Sequence, residues 1–147
     1  MPKELSILLA PNEILKSVCE PVSEVTPELR EFIEDMKHTM IANSGAGLAA
    51  PQVGVLKRIV VFNTNIANKL PAVMINPVIT KSSPQKMKSV EGCLSIPGEK
   101  FEVERSSAIS VLFRDISGKE VRLLSQGVSA VVIQHEIDHL DGILLSD

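Results

Sequence analysis

The chain has 147 residues, of which 44% are hydrophobic and 22% are charged, and its formal net charge at pH 7 is −3. This size and composition predict a single globular domain over residues 1–147, with enough apolar side chains to bury a core. The negative charge argues against a broad nucleic-acid surface, and the lack of any run of about 18 apolar residues argues against a membrane-spanning helix.

The start of the chain and its cysteine content both bear on the cellular compartment. Met1 to Glu4 leads into no long apolar run, so no secretory signal peptide is expected. The two cysteines, Cys19 and Cys93, suit a reducing compartment better than a disulfide framework. We therefore expect a cytoplasmic protein.

The first predicted element is a helix that begins after Thr26. Thr26 offers a capping hydroxyl, Pro27 favours the first helical position, and Glu28 places an acid in the first turn. The helix is predicted to run to about Ala42. Its apolar residues form one stripe, which comprises Leu29, Phe32, Ile33, Met36 and Met40. His38 lies roughly 200° around the helix from Met36 and is expected to face solvent.

Strands are predicted in the middle of the chain and a second helix near its end. The predicted strands cover residues 58–62, 72–79, 100–105, 107–114 and 120–124. Residues 115–119 are predicted to form a hairpin turn and residues 81–88 a polar loop. A cap at Ser125 is predicted to start a helix over residues 127–140. This order predicts an α+β fold, with antiparallel or mixed β-sheets packed around the second helix and the first helix N-terminal to them.

The most informative motif lies on this second helix, from His135 to His139. Two histidines four residues apart share one helix face, so both imidazoles can reach one metal ion. Glu136, directly after the first histidine, is placed to handle the proton of a water that the ion activates. The motif therefore predicts metal-assisted hydrolysis.

A third metal ligand is expected from upstream of the motif. One group of zinc proteases takes it from a histidine six residues after the second one, but Leu145 stands at that position. Only eight residues follow His139 (147 minus 139), so no distant downstream glutamate is expected either. The upstream histidine and thiol candidates are Cys19, His38 and Cys93.

Cys93 is the favoured candidate. Gly92 beside it lets the backbone come close to a metal, whereas Cys19 lies in a polar segment without other ligand types. A Cys-His-His set also leaves a fourth position open for water, which is the catalytic arrangement rather than the structural one.

Each of these features also has an ordinary structural interpretation. The two histidines could be a hydrogen-bonded pair on a half-buried helix, with Glu136 a simple helix acid. The small-residue segment from Gly45 to Gln52 could be a tight turn before a strand. Three valines precede His135 by seven, four and three residues and could pack in the core, namely Val128, Val131 and Val132. The combination of Cys93, Glu136 and both histidines favours the metal site.

Three segments together resemble the peptide deformylase family. Gly45 to Gln52 reads G-A-G-L-A-A-P-Q and is similar to the family pattern G-x-G-L-A-A-x-Q. Glu91 to Ser95 reads E-G-C-L-S, and Gln134 to His139 matches Q-H-E-x-D-H. Their order and spacing fit as well, and a weaker match from Pro11 to Val22 extends the resemblance to nearly the whole chain. All three segments in order are far more specific than H-E-x-x-H alone.

The resemblance implies a hydrolase that removes the N-formyl group from the initiator methionine of new polypeptides and releases formate. It implies one divalent ion held by Cys93 and the two motif histidines, Fe(II) in the cell, with zinc, nickel or cobalt able to take its place. The donor types themselves suit several of these metals. Glu136 would move the water proton, while the Gln52 amide and the Leu94 backbone N–H would donate to the oxyanion.

The resemblance also implies how the substrate is held. The backbone near Gly47 would pair with an extended peptide, and an apolar pocket would take the unbranched side chain of formyl-methionine. An ion pair between Glu91 and Arg105 would brace the loop that carries Cys93. The residues expected at the substrate are Gly45, Ala46, Gly47, Glu91, Gly92, Arg105, Val128, Val131 and Val132.

The end of the chain sets a further expectation. Many bacterial members of the family continue past the metal helix into another C-terminal helix, whereas this sequence stops at Asp147. We expect a short form without that helix and without any ribosome docking that it provides. The expected partners are N-formyl-methionyl peptides emerging from the ribosome, with no specific nucleic acid, no membrane and a monomeric state.

Two other functions remain open from the sequence. One is a metallopeptidase with an unusual Cys-His-His ligand set, which would cleave unformylated peptides. The other is a non-catalytic domain that binds metal or formylated N-termini. The intact Glu136 and Gln52 argue against the second of these functions.

Overall fold

The computed structural model describes residues 1–66 and 70–147. Its helices are α1 (Pro27–Ala42) and α2 (Val128–Leu140). Its strands are β1 (Gly47–Ala49), β2 (Ile59–Phe62), β3 (Val73–Ser82), β4 (Lys86–Cys93), β5 (Ile96–Ser106), β6 (Ala108–Arg114) and β7 (Glu120–Gln126). Short 3₁₀ helices cover Glu13–Lys16 and Ala50–Val53. No helix among the described residues is both long and apolar enough to cross a membrane.

The strands of the described chain form two antiparallel sheets. One has five strands in the order β1-β2-β3-β6-β7, and the other is the β4–β5 hairpin. Helix α2 packs against β1, β2 and β7 of the first sheet and against β5 of the second. The predicted α+β class, with sheets arranged around the second helix, is confirmed.

Helix α1 forms where the sequence predicts it. The Thr26 hydroxyl accepts a hydrogen bond from the Leu29 N–H at 3.1 Å, which caps the first turn. The predicted apolar stripe faces β1 and β2, with Ile33, Met36 and Met40 almost fully buried. The His38 side chain lies on the exposed face, as expected.

The same helix holds the N-terminal segment in place through two buried polar side chains. The Asp35 carboxylate accepts from the Lys3 N–H at 3.0 Å, and the Thr39 hydroxyl accepts from the Leu5 N–H at 2.8 Å. Buried polar groups need such partners. These two hydrogen bonds hold the N-terminal segment from Lys3 to Leu9, called the N-terminal strap, against α1.

Helix α2 is embedded because its apolar residues face one core cluster. Ala130, Ile133, Ile137 and Leu140 are buried with residues of β2, β3 and β6. The predicted cap at Ser125 is wrong. Ser125 lies within β7, and Gly127 precedes the helix with φ +66° and no side-chain cap. A glycine can adopt this left-handed backbone, which turns the chain from β7 directly into α2.

The region from residue 81 to residue 88 differs from its prediction as a polar loop. Strand β3 continues to Ser82 and β4 begins at Lys86, so only the connection between them is irregular. The β4 side chains alternate between exposed and half-buried, because the two-stranded sheet leaves much of its surface open to water. At the other end of the fold, α2 is the last helix, and residues 141–147 form turns with no further helix.

Candidate active site

Three side chains of metal-binding type converge between α2 and the β4–β5 hairpin. Cys93 ends β4 opposite Ile96 of β5, at an irregular step of the pairing that places its sulfur over α2. His135 and His139 stand one turn apart on α2. One donor atom from each of the three residues lies within 4.8 Å of the others, and Cys93 Sγ is 3.3 Å from His139 Nε2.

This donor set fits a divalent transition metal. Thiolate and imidazole suit ions such as iron and zinc. Among the described residues no fourth protein ligand joins the cluster, so an ion held by these three residues would have a position for water or substrate. Cys19 is buried elsewhere and His38 is exposed on α1. Neither of them approaches this cluster.

His135 is oriented by charged groups behind it. Its Nδ1 lies 2.9 Å from Glu91 Oε1, and since a carboxylate only accepts, Nδ1 carries the proton and Nε2 faces the cluster. Arg105 donates to both Glu91 oxygens, at 2.7 Å and 3.0 Å, and to Asp138 Oδ2 at 2.6 Å. The Glu91–Arg105 pair is almost fully buried. Such partners set the tautomer and the ring direction of a metal-binding histidine.

The surroundings shift the pKa values of the two imidazoles in opposite directions. Burial alone lowers the pKa of His135, but the carboxylate of Glu136, the Cys93 sulfur and Glu91 together raise it to about 10. Burial, followed by the charge on His135, lowers the pKa of His139 to about 3.

Glu136 is held against the cluster without being part of it. Its side chain is buried, with Oε2 3.7 Å from His135 Nε2 and Oε1 without a partner among the described residues. Burial raises the pKa of this carboxyl to about 7, which the charge on His135 opposes. A carboxylate that titrates near neutral pH can both accept and return a proton.

Gly47 makes room for this carboxylate. A Cβ atom built on Gly47 would lie 2.8 Å from Glu136 Cγ and 2.9 Å from its Oε2. Both distances are too short for real contacts, so a side chain at position 47 would displace Glu136. The requirement for glycine on β1 therefore comes from close approach, and the backbone is an ordinary strand.

Changing Gly47 to Ala is expected to lower kcat by roughly 10²-fold, because a shift of about 1 Å in a catalytic group can cost that much. Metal content should stay at the wild-type level, since the three donor residues are untouched. Steady-state kinetics and elemental analysis of the same preparation measure both quantities. An unchanged kcat would show that the position of Glu136 is not critical.

Gln52 faces the cluster from the 3₁₀ helix that follows β1. Its Oε1 accepts from the Ala49 N–H at 2.9 Å, which leaves the amide nitrogen pointing the other way. That nitrogen donates to Ser95 Oγ at 3.1 Å and lies 3.6 Å from Cys93 Sγ. Gln52 is therefore a fixed, buried donor beside the open position of the site.

A groove of about 1300 Å³ leads to these residues. Cys93, Leu94, Gln52, His135 and Glu136 line its inner end. The expected substrate residues that line it are Gly45, Ala46, Gly47, Glu91, Gly92, Val128, Val131 and Val132. The N-terminal strap closes another side with Leu5, Ile7 and Leu9. The inner end of the groove is thus polar, and its walls combine apolar and polar side chains.

Sequence comparisons decide the family of this chain. The model of the polypeptide deformylase family matches residues 4–147. The chain belongs to that family. A peptide deformylase of Orientia tsutsugamushi is 44% identical over 97% of this chain and 85% of the relative, and one of Thermodesulfovibrio yellowstonii is 46% identical over 97% and 87%. The crystal structure of peptide deformylase from Thermotoga maritima superposes with a TM-score of 0.93 at 37% identity, over 98% of this chain and 96% of that one.

Membership of the family establishes the activity of this chain. It is a metal-dependent hydrolase that removes the N-formyl group from nascent polypeptides. The Cys-His-His cluster is consistent with that metal dependence. The family assignment therefore argues against the two functions that the sequence left open, a general metallopeptidase and a non-catalytic binding domain.

One residue of the deformylase site lies elsewhere than expected, and two others were not predicted. Arg105 does not line the groove and instead lies behind the cluster, beside a small cavity of about 160 Å³. Asp138 holds it there, although the sequence shows only an acid inside the histidine motif. Ser95, fully buried, is the partner of the Gln52 amide. Asp138 and Ser95 both lie within the family motifs quoted above, and that position was the sign in the sequence that they belong to the site.

Proposed function

We propose that Cys93, His135 and His139 hold one divalent ion and that Glu136 transfers the protons of deformylation. The convergence of one thiol and two imidazoles beside a buried carboxylate carries this proposal. When bound, the ion supplies Lewis acidity and makes water a nucleophile at neutral pH. The substrate is the N-formyl group of an initiator formyl-methionine.

The residues around the ion account for the proton transfers. The Glu136 carboxylate accepts a proton from the attacking water and returns it to the amine nitrogen as the C–N bond of the formamide breaks. Formate then leaves with the new C–O bond, and the peptide keeps a free amino group. The pKa of about 7, raised mainly by burial, suits both transfers near neutral pH.

Two donors would stabilise the negative oxygen that develops on the formyl group. The Gln52 amide nitrogen is fixed by its contacts and lies at the inner end of the groove. Leu94 lines the same end directly after Cys93, and its backbone N–H is the second proposed donor. Donors fixed in advance cost little reorganisation during the reaction.

The groove also accounts for substrate selection. Val128, Val131 and Val132 follow one face of α2 beside His135 and form an apolar wall for the methionine side chain. Gly45, Ala46 and Gly47 line the groove, and β1 is an edge strand of its sheet, so an extended peptide backbone can pair with it. Glu91, Gly92 and Arg105 act on the substrate indirectly, by shaping the loop around Cys93.

Kinetics on two formylated peptides test this arrangement. The metal-loaded deformylase should release formate from formyl-Met-Ala-Ser with a kcat/KM at least about 10-fold above that for formyl-Glu-Ala-Ser. Burying a carboxylate against the valine wall is unfavourable. Equal kcat/KM values for the two peptides would contradict the assignment of the methionine pocket.

We further propose that the ion in the cell is Fe(II), with zinc, nickel or cobalt able to replace it. A thiolate on iron beside an open position exposes both to oxygen and peroxide. The proposed setting is one catalytic domain over residues 1–147, monomeric and cytoplasmic. It would meet formylated chains as they emerge from the ribosome, with no specific nucleic acid or membrane partner.

Iron-loaded enzyme is expected to lose activity in air, while nickel-loaded enzyme lasts much longer. Oxidation of the Cys93 thiolate up the sulfenic-to-sulfonic series is the expected cause. Activity decay in air and under argon, together with mass spectrometry of the Cys93 peptide, measures the effect. Equal decay of both metal forms with unmodified Cys93 would show that the fold, and not the site, is the weak point.

A further inference from the structure

The two histidines of the cluster are supported in different ways. His135 Nδ1 donates to Glu91, which fixes its ring. His139 is 2% exposed, and its Nδ1 has no hydrogen-bond partner in the described part of the chain. Metal-binding histidines ordinarily donate their second N–H to a carboxylate, a carbonyl or water. The direction of the His139 ring therefore depends on packing and on the backbone of the last turn of α2.

That last turn is held by Arg58, which lies directly before β2. Arg58 Nη1 donates to the Leu140 carbonyl at 3.0 Å, and Nη2 donates to Asp141 Oδ1 at 2.9 Å. The Cys19 N–H donates to the same Leu140 carbonyl at 2.9 Å. Leu140 directly follows His139, so these contacts act one residue from the His139 ring.

The backbone of Arg58 is itself held in place, so its side chain can anchor the last turn of α2. Its backbone N–H donates to the Glu20 carbonyl at 2.9 Å, and its own carbonyl accepts from the Asn76 N–H at 2.8 Å. Its side chain is 17% exposed, whereas that of Asp141 is 45% exposed, so the bond to the Leu140 carbonyl is better shielded from solvent than the ion pair. The Arg58 guanidinium also lies at the C-terminal end of α2, where a positive charge interacts favourably with the helix dipole. His139 is the one basic residue in the last turn of α2 itself.

We infer that Arg58 is a positioning residue for His139 and slows the loss of the metal ion. It does so by fixing the C-terminal turn of α2 against the start of β2. The inference rests on the proposed ligand set. It adds a residue outside the three family segments and outside the groove.

The rate of zinc release separates this role from simple stabilisation of the fold. Zinc-loaded wild type, Arg58→Ala and Arg58→Lys are mixed with an excess of chromogenic chelator, and the first-order release rate is recorded. Thr26→Ala is the matched control, because it removes a helix cap from α1, far from the cluster, and costs about 1 kcal/mol of stability. Melting temperatures of the metal-free proteins report the loss of stability in each variant.

Arg58→Ala is expected to release zinc about 10-fold faster or more, the usual scale for losing support of a metal ligand. Arg58→Lys, which keeps the cation but not the forked geometry, should fall between Arg58→Ala and wild type. Thr26→Ala should release zinc at the wild-type rate despite its lower melting temperature.

Two results would overturn the role of Arg58. One is wild-type release from Arg58→Ala, or from Arg58→Lys if the alanine variant does not fold. The other is an equal acceleration in Thr26→Ala, which would reduce the effect to stability. A wild-type chain that binds no zinc would overturn the ligand set itself, so the two failures are distinguishable.

Discussion

Replacing Glu136 by Gln is expected to lower kcat by about 10²–10⁴-fold, while metal content and substrate binding stay at wild-type levels. Glutamine keeps the shape of the side chain and fits the space that Gly47 leaves. It cannot accept the proton of the attacking water. It also has no basic oxygen in place of Glu136 Oε1, the buried atom without a partner in the described structure.

The measurement combines steady-state formate release with metal analysis of the same preparation. Glu31→Gln, an exposed acid on α1, is the matched control and should behave like wild type. A fall in kcat with unchanged metal content assigns Glu136 to the proton transfers and not to ligand support. Near-wild-type turnover in Glu136→Gln would remove it from the mechanism.

Replacing Cys93 by Ala is expected to abolish stable metal binding, from about one divalent ion per chain to nearly none. The site has three protein donors and no fourth among the described residues, so the loss of the thiolate leaves only two imidazoles. His135→Ala and His139→Ala should each have the same effect. Activity should disappear with the metal in all three variants.

The controls for this experiment are the two residues that the sequence offered as alternative ligands. Cys19→Ala and His38→Ala should keep about one ion per chain, because Cys19 is buried apart from the cluster and His38 is exposed on α1. Elemental analysis after extensive dialysis gives the content of each variant. Full metal in Cys93→Ala would mean that another group completes the site.

Local patterns in the sequence were enough to predict most of this fold. Helix α1 has a cap, a first-turn proline and an apolar stripe within 16 residues, and each of these signals acts on near neighbours. The histidine motif likewise needs only the periodicity of one helix. Strand β4 was missed because its exposed hairpin has no apolar alternation to mark it.

The remaining features depend on contacts between distant parts of the chain. Arg105 and Asp138 are 33 residues apart, and Arg58 and Asp141 are 83 apart. The family resemblance marks Arg105 as a partner of Glu91, but nothing in the local sequence shows that Arg105 contacts Asp138 or that Arg58 contacts Asp141. The start of α2 was predicted within one residue, but its cap was not, because Ser125 offered a more common capping side chain than Gly127.

The most direct test of the account compares formyl-Met-Ala-Ser with unformylated Met-Ala-Ser, using the metal-loaded wild-type chain. Formate and the free amino group should appear in equal amounts from the first peptide, and neither peptide should be cut at an internal bond. A chelator should stop formate release, and added metal should restore it. Cleavage of Met-Ala-Ser, or no formate from a chain that holds its full complement of metal, would contradict deformylation at this site.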